Sequence, residues 1–282
     1  MGAPLAIDLF CGLGGWTEGL LAEGYDVVGF DIERHVYGEH QYPAQLVVQD
    51  VLTLHGSQFR AAALIVASPP CQEYSYMAMP WSKAKAKAAA IRADKTGAEL
   101  EHLNRLFNAC FRIQREACEA AGRHIPMVVE NVRGAIPWVG RSRWNYGSFH
   151  LWGDVPALMP AAKHIKVPTM GAGWYPPGHP KHVPGLGFNT HAARATKNTG
   201  GSWFNIGSPG QKVVGQNPVH ALAGTKHGGD WFAEARKGGT MASFSSKSPQ
   251  RKFASAMIAK IPLPLSRHIA ATFHPAHRRE AA

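Results

Sequence analysis

Acidic residues are scarce in this chain of 282 residues. Nineteen Asp and Glu stand against thirty Lys and Arg, a formal charge of +11. Such an excess favours a polyanionic partner through phosphate neutralisation and counterion release, or serves as a basic surface kept for solubility. No apolar run approaches the roughly 20 residues that span a bilayer, which excludes a membrane-spanning helix. Met1–Phe10 lacks the basic start and long apolar stretch of a signal peptide and reads as a first strand, so a cytosolic protein is expected. Cysteine is rare too. The four, at positions 11, 71, 110 and 118, show no paired spacing. That excludes a zinc cluster and a disulfide scaffold, and leaves reduced thiols that become special only by context. There is no internal repeat, and the only biased tract is Lys83, Lys85 and Lys87 among alanines.

What is present in the first half is alternation. Leu5–Phe10, Tyr25–Phe30, Gln45–Val48, Ala62–Ala67 and Pro126–Glu130 are short, β-rich and bounded by Gly, Asp or Pro, and read as strands. Trp16–Glu23 and Ala98–Ala121 carry apolar residues at helical spacing, notably Leu103, Leu106, Phe107, Cys110 and Ile113. Strand–helix alternation predicts an α/β fold with a doubly wound, mostly parallel sheet. Hence residues 1–154 read as one α/β domain, whose strand ends are where catalytic and cofactor-binding residues would gather. Between Gly171 and Gly239 lie 15 of the 30 glycines, together with Trp174, Trp203, Phe204, Trp231 and Phe232. The aromatics argue against a disordered linker, so 155–247 reads as a small, loop-rich domain. Residues 248–282 predict two returning helices: one from Ser248-Pro249 that carries Phe253, Met257 and Ile258 on one face, one after Pro264 with Leu265, Ile269 and Phe273 in register.

Chemistry-bearing residues recur at strand ends. Asp8-Leu9-Phe10-Cys11-Gly12-Leu13-Gly14-Gly15 joins the first strand to the first helix, where glycines admit a ligand to the backbone and the helix N-terminus favours an anion. Asp31 ends the next strand, where a carboxylate can hold ribose hydroxyls. Asp50 ends the third, where one can accept an adenine amino group or simply cap a turn. Ser68-Pro69-Pro70-Cys71-Gln72-Glu73-Tyr74-Ser75 follows the fourth strand, with two prolines fixing the backbone before the thiol. Glu130-Asn131-Val132 ends the fifth, and Arg141-Ser142-Arg143 places two guanidinium groups on one face of an extended segment. Glu130 with the arginines could also be an ordinary ion pair. Glu73–Gly97 is too long for an ordinary connection; with Lys83, Lys85, Lys87, Arg92 and Lys95 it suits a segment closing over substrate, and its alanines also suit a solvated helix.

In these motifs, their order and their approximate spacing the chain resembles the cytosine-5 DNA methyltransferase family, and within it the solitary enzymes of phages and prophages. Arg105-Leu106-Phe107 and the terminal Ile261-Pro262-Leu263-Pro264-Leu265 are similar to further family motifs, and the resemblance covers roughly residues 5–155 and 248–275. It implies a Rossmann-like, S-adenosylmethionine-dependent fold in the cytoplasm of a bacterial or phage-infected cell, working as a monomer on double-stranded DNA. The same fold acting on RNA, or a catalytically dead DNA-binding protein, are the rival expectations. It further implies Phe10, Gly12, Gly14, Asp31, Asp50 and Pro70 around the cofactor, and Gln72 and Ser75 near the substrate. Cys71 would be the nucleophile, Glu130 the donor to cytosine N3, Arg143 the holder of O2 and Arg141 its support. The loop-rich region would be the target recognition domain, with Arg194, Lys197, Asn198, Lys212 and Gln216 as candidate DNA contacts. Two departures stand out. Val139 replaces the usual Gln before the arginines, and Ile258-Ala259-Lys260 replaces the usual Gly-Asn segment. Lys260 would then lie beside cofactor and base, where a buried ammonium needs an anion. Carboxy-S-adenosylmethionine could supply one, and the product would be 5-carboxymethylcytosine. A lysine reaching solvent or a DNA phosphate is the plainer expectation.

Overall fold

The computed structural model describes residues 2–75, 81–159, 252, 253, 256, 257 and 259–276. One compact unit comprises Met1–Ala161 together with Lys260–Ala282. Its sheet is built from β1 (Leu5–Leu9), β2 (Asp26–Asp31), β5 (Gln45–Val48), β6 (Leu64–Ala67), β7 (Met127–Asn131), β8 (Trp144–Tyr146) and β9 (Phe149–Gly153). The spatial order is β5-β2-β1-β6-β7-β9-β8. The first five strands run parallel and the last two pair antiparallel. The order reverses between β1 and β6, and the carboxyl ends of strands at such a reversal are where these sheets bind ligands. A separate hairpin, β3 (Val36–Tyr37) with β4 (His40–Gln41), lies between β2 and β5 in sequence. The expected doubly wound, mostly parallel α/β fold is the observed one.

Alternation along β1 separates the two faces. Ile7 and Leu9 join the core formed with Ile65, Ala67, Met127 and Val129 and with the inner stripe of α3 (Ala98–Ala121): Leu103, Phe107, Cys110, Ile113 and Ala117. Asp8, between them, points the other way and meets Thr17 of α1 (Gly15–Ala22). α1 in turn packs against the C-terminal helix, here α5 (Leu263–Phe273), whose Leu265 and Ile269 are fully buried. β6 and β7 are buried along their length; β6 is apolar throughout for that reason, and β7 is apolar as far as Val129, before Glu130 and Asn131.

Three local differences from expectation have simple causes. α5 begins at Leu263, one residue before Pro264, because a proline in the first turn lacks only an N–H that the helix leaves unpaired there. Residues Trp81–Ala93 form helix α2, with Ala84, Ala88 and Ile91 buried, so the alanine-rich tract is helical and only partly solvated. The hairpin β8–β9 was not anticipated; Gly147 at φ 60 and Ser148 make its two-residue turn. Of the first returning helix, 252, 253, 256 and 257 are helical and Met257 is buried, whereas Ile258 lies outside the described residues. Residues 160–250, including Arg194, Lys197, Asn198, Lys212 and Gln216, also lie outside them.

Candidate active site

β1 ends at Leu9, and Phe10 to Gly14 turn the chain into α1. Gly12 and Gly14 sit at φ 51 and 77, left-handed conformations that glycine adopts freely. Phe10 shares that region at φ 58, which costs a bulky side chain about 1–2 kcal/mol and persists only where surroundings impose it. They do impose it. The Cys11 amide donates to the Phe30 carbonyl at 3.2 Å, and the Gly12 amide to the Asp31 carboxylate at 2.8 Å. Burial pushes the Asp31 carboxyl up, but hydrogen bonds with His35 and the Gly12 amide outweigh it and hold the group below the usual range, ionised at neutral pH. Asp50 caps a 3-10 turn, Val51–Thr53, by accepting from the Leu52 amide at 2.9 Å. The turn-cap reading of Asp50 is thus borne out, with its second carboxylate oxygen not used in that bond. Phe10, Gly12, Gly14, Asp31 and Asp50 accordingly gather at the carboxyl ends of three adjacent strands, β1, β2 and β5.

The loop after β6 is tied down on both sides of the cysteine. Trp16 of α1 donates its indole N–H to Ser68 Oγ at 3.0 Å, joining this loop to the helix that leaves the glycine turn. Asn131 Nδ2 donates to the Pro69 carbonyl at 2.9 Å, which joins it to the end of β7, next to Glu130. Beyond Cys71, the amides of Tyr74 and Ser75 return to the Cys71 carbonyl at 3.0 and 2.9 Å. The Tyr74 hydroxyl then reaches Asn104 Oδ1 on α3 at 3.0 Å. Cys71 and Ser75 are half-buried, Pro70 and Gln72 exposed, and Glu130 is 9% exposed. Asn131 was noticed in the sequence only as the middle of Glu-Asn-Val; its role is to clamp two strand ends. Replacing it with Ala leaves the buried Pro69 carbonyl without its donor. The expected loss is about 1–3 kcal/mol in urea unfolding; an unchanged midpoint would show the clamp to be ornamental.

Arg141 and Arg143 lie just before β8. The Arg143 amide donates to the Leu151 carbonyl at 2.8 Å, and both guanidinium side chains are exposed. Val129 pairs with Trp152 and Glu130 with Leu151. Trp152 packs edge-on against Phe107 of α3, with ring centroids 5.4 Å apart. Arg143 precedes β8, whose pairing starts with Trp144 opposite Leu151. Arg141 and Arg143 line a groove with Phe111 and Trp138.

Lys260 meets a partner within the protein. Its ammonium pairs with the Glu18 carboxylate in the first turn of α1. The anion that a partly buried lysine requires is therefore supplied by the protein, and a carboxylated donor is not called for. In the segment after Cys71, Lys87 pairs with Glu73 and the Arg92 guanidinium lies over the Trp138 ring, 5.3 Å from its centroid.

Residues 5–89 match the sequence model of the family described as C-5 cytosine-specific DNA methylase. The matched span holds the glycine turn, Asp31, Asp50 and the Pro-Pro-Cys loop, so the resemblance read from these motifs is borne out there. No curated protein matches the chain. Among solved structures, a proposed DNA modification methyltransferase encoded within a prophage (E. coli) is 23% identical, covering 48% of this chain and 33% of that one, with a TM-score of 0.32. The S. pombe Dnmt2 methyltransferase is 15% identical over 49% and 37%, with a TM-score of 0.30. The Entamoeba histolytica methyltransferase EhMeth is 11% identical over 97% and 98%, with a TM-score of 0.43. This chain thus spans about a third of the length of the first two. With the family match, the sheet order fits the S-adenosylmethionine-dependent, Rossmann-like methyltransferase fold.

Proposed function

We propose that the chain methylates carbon 5 of cytosine in double-stranded DNA, with S-adenosylmethionine as donor and Cys71 as nucleophile. The observation that carries the reading is the Asn131–Pro69 hydrogen bond, which draws the Cys71 loop and the Glu130 strand end to one edge of the sheet. The residues suit the donor: left-handed Gly12 and Gly14 leave the turn without side chains, and Asp31 and Asp50 offer acceptors at the neighbouring strand ends. When bound, the donor supplies an electrophilic methyl group on a sulfonium. Phe10, Gly12, Gly14, Asp31, Asp50 and Pro70 would hold it.

Cytosine C5 is too weak a nucleophile to react unaided. The Cys71 thiolate adds to C6, forming a C–S bond and pushing the ring electrons toward N3 and C5. Glu130, in its protonated form, donates to N3 and so neutralises charge as it develops. After C5 has been methylated and has lost its proton, the C–S bond breaks and the thiolate returns. Gln72 and Ser75 flank Cys71 and would contact the base. None of this fits within stacked DNA, so the base must swing out of the helix. Arg141 and Arg143, both exposed, are better suited to phosphates than to the cytosine ring.

Two results should follow. Glu130→Gln should lower turnover by about 100-fold or more while DNA affinity changes little, since the lost interaction belongs to the reacting ring. DNA affinity itself should fall steeply as salt rises, as expected where lysines and arginines displace counterions. Fluorescence anisotropy on duplex DNA reads the second; a flat salt dependence would remove the case for phosphate contacts. Mass spectrometry of digested product DNA, with RNA of the same sequence in parallel, identifies both the modified nucleoside and the preferred polymer.

A further inference from the structure

Beneath the glycine turn lies a carboxyl group that the proposed chemistry does not use. Asp8 is 0% exposed. Its Oδ2 accepts from Thr17 Oγ1 at 2.7 Å, and Thr17 Oγ1 contacts the Tyr42 hydroxyl at 2.6 Å. Oδ1 is buried without any hydrogen-bond partner. Asp8 takes part in no ion pair among the described residues. The groups that face it are Thr17 on α1, Cys11 in the turn, Asp31 at the end of β2 and Tyr42 before β5. Only Asp31 among these is charged at neutral pH, and its charge has the same sign.

Tyr42 ties this group to the cofactor turn. Its ring would lie 3.1 Å from a side chain grown on Gly14, and its hydroxyl 2.3 Å from one grown on Gly29. The space between turn, β2 and the Tyr42 segment is therefore filled by protein, and Asp8 is shut off from water. Burial, moderated by the Thr17 hydrogen bond and reinforced by Asp31, pushes Asp8 up to about 7.

A buried carboxylate with no counter-charge is a poor structural choice. It becomes reasonable if a cation arrives nearby. We propose that Asp8 is a counter-charge for a cationic ligand seated on the glycine turn, keeping its proton when the turn is empty and releasing it when the cation binds. This rests on the reading of that turn as the S-adenosylmethionine site. The donor carries a sulfonium and an ammonium against one carboxylate, a net charge of +1, whereas the demethylated product has a neutral thioether. Asp8 thereby favours donor over product, and favours it more as pH rises. It acts as a specificity-determining group beneath the site, with Thr17 and Tyr42 as positioning residues.

The free protein carries the sign. A carboxyl that holds its proton more tightly folded than unfolded binds more protons in the folded state. Its contribution to stability is therefore lost progressively as pH rises from the unfolded value, about 4, through about 7.

The test is isothermal titration calorimetry near pH 7 in buffers of differing ionisation enthalpy, with S-adenosylmethionine and S-adenosylhomocysteine as separate ligands. Wild type should release about half a proton per donor bound, the fraction expected of a group half-titrated at that pH, and distinctly less on binding the product. Asp8→Asn should abolish the difference. His35, 3.6 Å from Asp31, is another group beside the site that can carry a proton, so a second variant identifies the source. Thr17→Val removes the bond that lowers Asp8 and should move the pH of maximal release upward; a proton from His35 would not follow. It also keeps the question open to measurement if Asp8→Asn does not fold. Donor binding with no proton release, or equal release for donor and product, overturns the proposal. Failure of the wild type to bind either ligand at any pH overturns instead the assignment of the turn to this cofactor.

Discussion

Replacing Cys71 with Ala is expected to abolish methyl transfer, by at least about a thousandfold, while leaving cofactor affinity within about twofold of wild type. Removing a covalent nucleophile commonly costs more than removing any single binding contact, because no neighbouring group takes over the bond. Geometry makes the separation clean. Cys71 lies in the loop after β6, whereas the glycine turn is held by the Cys11–Phe30 and Gly12–Asp31 hydrogen bonds, neither of which involves that loop. The substitution also leaves the loop's own ties untouched: the Asn131–Pro69 bond, the Trp16–Ser68 bond and the return of Tyr74 and Ser75 to a backbone carbonyl. Duplex DNA bearing 5-fluorocytosine should form a covalent complex with wild type that survives denaturing electrophoresis, since fluorine blocks the closing elimination. The alanine variant should form none. Normal turnover by the variant, or a trapped complex at another residue, would end the case for Cys71.

The parts of the site that were legible in the sequence are those governed by local rules. A strand that ends in Asp-Leu-Phe-Cys-Gly-Leu-Gly-Gly has few ways to turn, and β1, the turn and α1 appear where the pattern placed them. Cys71 after two prolines and Glu130 at the end of an apolar run are fixed by the strand preceding each. The placement of the arginines is not local. It depends on β8 pairing with β9 across a Gly147-Ser148 turn. That turn was a readable signal, a two-residue glycine connection between aromatic runs. The ties that hold the site together left no signal. Trp16 with Ser68 spans 52 positions, Asn131 with Pro69 spans 62, and Lys260 with Glu18 spans 242. Only the fold brings such pairs together. Asp8 illustrates the same limit from the opposite side: it opened the most recognisable motif in the chain, yet its burial against Thr17 and Tyr42 could not be read from that motif.

The largest effect on the fold is expected at Gly19, far from the reacting groups. Gly19 sits in the middle of α1, where glycine costs about 1 kcal/mol relative to alanine, so some other need must hold it there. The need is proximity. A side chain grown on Gly19 would meet Ser266 Oγ at 2.3 Å and the backbone of Ser266 and Arg267 at 2.5 Å. α1 and α5 thus cross nearly backbone to backbone, and the contact joins the start of the chain to its end. Around it, the Tyr25 hydroxyl donates to the Ala270 carbonyl at 3.0 Å, and Arg267 pairs with Glu23 at 2.7 Å. Gly19→Val cannot be relieved by turning a flexible side chain, because two of the three nearest atoms belong to the backbone. The helices must separate, exposing Leu265 and Ile269, which are fully buried. A loss of about 3 kcal/mol or more is expected, at the upper end of overpacking effects, and is measurable by urea unfolding or as insoluble expression. Leu21→Val, on the exposed side of the same helix, should change stability by no more than about 0.5 kcal/mol. Because α1 begins at the glycine turn, cofactor affinity should fall with Gly19→Val under conditions where the protein still folds. A valine variant as stable as wild type, binding donor equally well, would mean that α5 does not dock on α1 in solution.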